Sequence, residues 1–264
     1  MLKYKCNLLK IICIFIIAIF LFPTICIASE SIYTWSNNAK PLTETIPTNA
    51  TTSLSLNVGS AVLIEQNSGQ VLYNQNMHEK LRPASVTKVM TILLIMEAID
   101  SGKLSYTDKI PCSEKAAGMG GSQIWLDVRE ELTVDEMLKA ICVVSANDCT
   151  VAMAEYLAGS EEAFVNQMNA KAKELGMNDT TFKNCHGIDE DGHVTSAYDI
   201  ALMSRDLLTK HPSITKYTTI YMDSLRDGKS SLVNTNKLVR NYKGATGLKT
   251  GSTSVALYNL SASA

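Results

Sequence analysis

The sequence predicts a mixed α+β / α/β fold in which strands from both chain ends form one antiparallel sheet and a helical subdomain is inserted between them. Three observations carry this expectation. Short apolar runs separated by turn residues occupy 61–74, helical periodicity fills about 112 to 210, and strand-like runs return after about 215. Strands at both ends with helices between them are the pattern of a sheet closed by the chain termini and covered by a helical lobe.

The first 28 residues read as a secretory signal. Lys3, Lys5 and Lys10 precede an apolar run from Ile11 to Phe22, followed by Pro23 and a small-residue site at Cys26-Ile27-Ala28. The run is short for a membrane span, and Ile25 disfavours a lipoprotein cysteine at Cys26, so cleavage is expected after Ala28. Removing the three lysines takes the formal charge from −2 to −5, an acidic balance that argues against nucleic-acid binding. Residues 29–55, rich in Thr, Ser, Asn and Pro, suit an extended leader. The remaining 56–264 is long enough to bury a proper core.

Within that domain, Ala61 to Glu65 and Val71 to Asn74 flank Asn67-Ser68-Gly69, a hairpin signal. Pro83 stops any preceding helix, and Ser85 to Ile99 is apolar almost all round, as expected of a helix in the middle of a domain. Thr133-Val134-Asp135-Glu136 has the capping-box pattern ahead of Met137, Leu138, Ile141 and Cys142. Glu161 to Leu175 forms a further helix ended by Gly176, and Ser196 caps another whose Ile200, Met203 and Leu207 face inward. The helical subdomain is expected over about 110–215. Strands are expected at Tyr217 to Met222, Lys229 to Val233, Leu248 to Thr250 and from Leu257 onward. Cys112, Cys142, Cys149 and Cys185 are too few for a disulfide scaffold and read as small buried hydrophobes.

Three short motifs carry the chemistry. Ser85-Val86-Thr87-Lys88 places a hydroxyl and an amine one turn apart at the start of the apolar helix, where desolvation lowers the lysine pKa and makes it a base for the serine. Ser145-Ala146-Asn147 offers a hydroxyl for proton relay and an amide to orient a substrate. Lys249-Thr250-Gly251 puts a cation and a hydroxyl on a strand where the glycine admits close approach, an arrangement suited to a peptide carboxylate. Ser213-Ile214-Thr215-Lys216 and Ser36-Asn37-Asn38 repeat two of the patterns by chance. The first follows His211-Pro212 in polar sequence and the second lies in the leader. His186, Asp189, Glu190, Asp191 and His193 read as a solvated loop, since the calcium-loop pattern fails at Tyr198 and no His-Glu-x-x-His occurs. No metal site and no cofactor are expected.

The ordered triple of motifs resembles the signature of penicillin-binding proteins and class A β-lactamases. Beyond it, Arg82-Pro83-Ala84-Ser85, Gly120-Gly121-Ser122, His186-Gly187-Ile188-Asp189 and Asn234-Thr235-Asn236 resemble the D-alanyl-D-alanine carboxypeptidases, low-molecular-mass penicillin-binding proteins that act as serine peptidases on peptidoglycan. The resemblance runs from about Val58 to the last residue. It implies a β-lactamase/transpeptidase-like fold and an exported enzyme that removes the terminal D-alanine from stem peptides ending in D-Ala-D-Ala, at the outer face of the cytoplasmic membrane or in the cell wall. By that resemblance Ser85 is the nucleophile and Lys88 its base, with Ser145 and Asn147 completing the catalytic set. Lys249, Thr250, Gly251 and Ser252 bind substrate, and the Ser85 and Ser252 N–H groups form the oxyanion hole. β-Lactam antibiotics are expected to remain on Ser85. Relatives often carry histidine at the position of Ser252, a difference expected to tune the site. They also continue past the point where this chain stops, commonly to a membrane anchor, so the domain is expected to be incomplete at its C-terminus, with membrane association dependent on that missing anchor. The alternatives are a β-lactamase of the same fold, which needs a glutamate to activate the deacylating water, and an inactive fragment that binds cell-wall peptides.

Overall fold

The structure, a computed structural model, describes residues 54–264. The expected signal segment and all but the last two residues of the leader lie outside the described residues. Strands β1 (Ala61–Ile64) and β2 (Val71–Gln75) form the first antiparallel hairpin, with Ala61 opposite Gln75. Its turn is held by the Glu65 carboxylate, which accepts from the N–H groups of Asn67 and Ser68, and by Gly69 at φ +75°.

After Pro83 the chain makes a 3-10 turn, Ala84–Thr87, before entering α1 (Lys88–Asp100). Ser85 was expected to open an α-helix and instead sits in this tighter turn. In 3-10 geometry side chains at i and i+3 eclipse, so Ser85 and Lys88 are stacked more directly than α-helical spacing would allow. Val89, Met90, Leu93, Ile95 and Met96 are wholly buried, each side chain contributing about 1.5–3 kcal/mol of burial. Helix α1 is the spine of the domain, as its all-round apolarity implied.

The helical part contains β3 (Lys109–Pro111) paired with β4 (Glu131–Thr133), then α2 (Glu114–Ala117), α3 (Val134–Val143), α4 (Asn147–Ala158), α5 (Glu161–Glu174) and α6 (Ala197–Lys210). The expected capping box is present, Thr133 accepting from Glu136 N–H and the Glu136 carboxylate from Thr133 N–H. Helices α3 and α4 pack together, and α4 also contacts α1 and α5. Helix α6 lies inside the interval expected for the helical subdomain, yet it packs on α1, β1 and β8 (Leu257–Ser263). The four cysteines are buried and free. No described helix is long and apolar enough to cross a membrane.

Toward the end of the chain, β5 (Met222–Leu225) pairs with β6 (Ser230–Val233), and β7 (Gly247–Thr253) pairs with β8, Lys249 opposite Ser261. A short helix, α8 (Leu238–Asn241), lies between the hairpins. The contribution of both chain ends to the sheet takes the form of two ladders, β1–β2 and β7–β8. The two ladders are not paired with each other, and α6 links them: Arg205 donates to the carbonyls of Gln66 and Asn67 beside β1, while the Ser204 hydroxyl meets that of Ser261 on β8 at 2.8 Å.

Two local expectations are corrected. Tyr217 was assigned to a strand but lies in a helical turn, α7 (Thr215–Thr218). Pro212 starts a helical run there, and burial of the Tyr217 ring, with its hydroxyl donating to Asp135 at 2.7 Å, outweighs the β preference of Tyr217-Thr218-Thr219. The loop 186–193 is only partly solvated, because His186 and His193 are buried while Glu190 and Asp191 face water.

Candidate active site

Lys88 is the centre of the site. Its Nζ lies 2.9 Å from Ser85 Oγ, and it donates to Asn147 Oδ1 at 2.6 Å and to the carbonyl of His186 at 2.6 Å. The residue is wholly buried. Burial, reinforced by the nearby Lys249 cation, holds its pKa well below the ordinary lysine value. A neutral amine has two N–H donors and one lone pair. The two carbonyl-type oxygens can only accept, so they take the N–H groups and leave the lone pair facing the Ser85 hydroxyl. Such an arrangement can receive the serine proton.

Asn147 reaches this point from the α3–α4 junction, where Ser145 lies two residues before it. Ser145 has φ +64°, a conformation that costs a non-glycine residue roughly 1–3 kcal/mol. Its hydroxyl is buried and finds no hydrogen-bond partner among the described residues. A buried unsatisfied hydroxyl costs about 1–3 kcal/mol, so two destabilising features coincide at one residue. Asn147, the first residue of α4, is fixed at both ends of its side-chain amide, Oδ1 accepting from Lys88 and Nδ2 donating to Gly120 O at 2.7 Å. Its own N–H donates to Ser122 O at 2.7 Å, tying the irregular 120–122 segment to the site. The next residue, Asp148, accepts from the N–H groups of Ile124 and Leu126 and extends the clamp.

Strand β7 closes the opposite side. An added Cβ on Gly251 would lie 2.7 Å from Ser85 N and 2.8 Å from Val86 N, so only glycine lets the strand approach the turn. Lys249 is 1% exposed, donates to Thr250 O at 2.8 Å, and is pushed down to a pKa of about 8 by burial. Thr250 Oγ1 meets Thr235 Oγ1 at 2.6 Å, and Ser252 is exposed. The eight residues singled out by the motifs therefore lie on three segments that meet at Lys88 and Gly251. The second Ser-x-x-Lys is elsewhere, with Lys216 donating to Asp135 at 2.7 Å.

Two contacts of the 186–193 loop were not expected from the sequence. The His186 carbonyl is a backbone group, and Gly187 beneath it is obligatory, since a Cβ there would lie 1.9 Å from Ala84 O. His193 Nδ1 accepts from Lys183 N–H, which leaves the proton on Nε2 to be donated to Thr87 Oγ1 at 2.8 Å. A loop expected to be solvent-facing thus buttresses the turn that carries Ser85.

The profile described as D-alanyl-D-alanine carboxypeptidase matches residues 47–264. The chain belongs to that family. Among its relatives, D-alanyl-D-alanine carboxypeptidase DacF of Bacillus subtilis is 57% identical over 217 residues, covering 81% of this chain and 56% of that protein. The crystal structure of penicillin binding protein 5 from Haemophilus influenzae superimposes with a TM-score of 0.77 at 31% identity, covering 81% of this chain and 62% of that one. Penicillin-binding protein D2 from Listeria monocytogenes, solved in the ampicillin-bound form, gives 0.68 at 31% identity over 76% of this chain and 81% of that one. The chain spans about half the length of the curated carboxypeptidases that it matches. Its fold is that of the penicillin-binding DD-peptidases in the transpeptidase/β-lactamase class.

Proposed function

We propose that this chain carries the catalytic apparatus of an exported serine-type D-Ala-D-Ala carboxypeptidase that trims peptidoglycan stem peptides and is acylated by β-lactams. The observation that carries the reading is the Lys88 amine set 2.9 Å from Ser85 Oγ with both of its N–H groups assigned to other acceptors. Family membership and an ampicillin-bound relative support the substrate class.

In this reading Lys88 takes the Ser85 proton as Oγ attacks the carbonyl between the two terminal D-alanines. The C–N bond breaks, D-alanine leaves with a proton relayed through Ser145, and water hydrolyses the Ser85 ester. Asn147 orients the substrate amide, while Lys249 and the Thr250 hydroxyl hold the terminal carboxylate. The Ser85 N–H lies against Gly251, one residue before Ser252, which supports an oxyanion hole built from the N–H groups of Ser85 and Ser252.

The β-lactamase reading needs a glutamate poised over the ester. Glu161, in the first turn of α5, is instead engaged by Lys115 and Cys185. The test is D-alanine release from a synthetic pentapeptide ending in D-Ala-D-Ala. Release by the full chain and none by Ser85→Ala is expected; equal release by both would overturn the reading.

A further inference from the structure

Glu161 is a buried carboxylate outside the motif set, and its contacts lead back to Lys88. One oxygen, Oε1, accepts from Cys185 N–H at 3.1 Å and from Cys185 Sγ at 3.2 Å, and faces His186 Nε2 at 3.4 Å. His186 Nδ1 accepts from Ile188 N–H, so the imidazole proton sits on Nε2 and points toward the carboxylate. The other oxygen, Oε2, pairs with Lys115 Nζ at 2.6 Å.

The segment gripped in this way is irregular backbone, and both of its carbonyls are in use. Cys185 O accepts from the Thr91 hydroxyl at 2.7 Å, and His186 O accepts from Lys88 Nζ. Thr91 and Lys88 stand one turn apart on α1. The His186 carbonyl takes one of the two N–H groups of neutral Lys88, so its position sets the direction of the amine lone pair. A displacement of about 1 Å in such an acceptor is enough to slow an oriented proton transfer by as much as ~100-fold.

We propose that Glu161 is a positioning residue for the general base: its carboxylate, paired with Lys115, holds the Cys185–His186 backbone so that the His186 carbonyl aims the Lys88 lone pair at Ser85. Lys115 has a second part in this. By neutralising Glu161 it lets a strong acceptor grip the segment without setting a net negative charge beside an amine that must stay deprotonated. The inference rests on the assignment of Ser85 and Lys88 as nucleophile and base.

The test is a graded series, Glu161→Ala, Glu161→Asp and Glu161→Gln, in the full chain. Acylation by a fluorescent penicillin is resolved into the initial non-covalent dissociation constant and the acylation rate constant, alongside thermal unfolding. Expected are an acylation rate constant about 10- to 100-fold lower for Ala, an intermediate loss for Asp, whose shorter chain retracts the acceptor, and recovery to within about 5-fold for Gln, which keeps a carbonyl toward Cys185 N–H. The dissociation constant should stay within about 2-fold throughout. A merely structural glutamate would lower the unfolding temperature and leave the acylation rate constant of folded protein unchanged, and that result would overturn the proposal. If Ala does not fold, the order of Asp against Gln decides: Asp as fast as wild type, or Gln slower than Asp, also overturns it. Labelling of wild type but not of Ser85→Ala, in the same experiment, keeps the underlying assignment separate from the fate of Glu161.

Discussion

Gly251 and Ser85 meet backbone to backbone: the space for a Cβ on Gly251 ends 2.7 Å from Ser85 N and 3.0 Å from Pro83 O. Strand β7 and the 3-10 turn are therefore fitted to each other at glycine resolution. Gly251→Ala should push the strand away from the turn, costing about 1–3 kcal/mol as an overpacked contact. It should also slow β-lactam acylation by about 100-fold. Thermal unfolding and gel-based penicillin labelling check the two effects separately.

Ser145 offers the opposite balance. Its buried hydroxyl has no partner among the described residues and its φ is positive, so Ser145→Ala removes an unsatisfied polar group. The variant is expected to unfold at a temperature equal to or above that of wild type while D-alanine release falls by about 100-fold or more, the usual scale for losing a proton relay. Calorimetry paired with a D-alanine assay reads both.

The two buried lysines set the pH profile. Acylation should rise with pH as Lys88 loses its proton, at a pH well below the ordinary lysine value because of burial and the Lys249 charge. It should fall again near pH 8, where Lys249 deprotonates and no longer attracts an anionic ligand. Lys249→Met removes the neighbouring positive charge, which favours the ammonium form of Lys88, so the acid limb should move to higher pH and the limb near 8 should disappear. Stopped-flow acylation from pH 5 to 10 measures both limbs.

His193 predicts acid lability. Burial pushes its pKa down to about 4 from an ordinary 6.5. The folded state therefore holds fewer protons than the unfolded state between these values. Its stabilising contribution is complete above about pH 6.5 and is lost as pH falls through about 4, a change of about 3 kcal/mol. His193→Gln, which can still donate to Thr87, should flatten that part of the stability curve. Urea unfolding at pH 7, 5.5 and 4.5 tests it.

The candidate site was legible where its side chains carry a local spacing. Ser85 and Lys88 stand out because a polar pair stands at the head of an apolar run, and Lys249 because a cation precedes glycine in a strand. The features that were not legible act through backbone or through distant partners. His186 contributes a carbonyl, so its side chain pointed to a solvent loop instead. Glu161 resembles any acidic first-turn residue until its partners on 115 and 185 are seen. In the fold, α1, the capping box at Thr133 and the first hairpin follow from local pattern. Tyr217 does not, because long-range burial against Asp135 and Tyr106 overrides its local preference.

The central claim is that Ser85, deprotonated by Lys88, becomes covalently acylated. Peptide mass spectrometry after exposure to benzylpenicillin tests it most directly. One penicilloyl group on the peptide carrying Ser85, absent from Ser85→Ala and formed at least about 100-fold more slowly in Lys88→Met, is the expected result. An adduct on another residue, or one that forms on Ser85 at the wild-type rate without the Lys88 amine, would contradict the account.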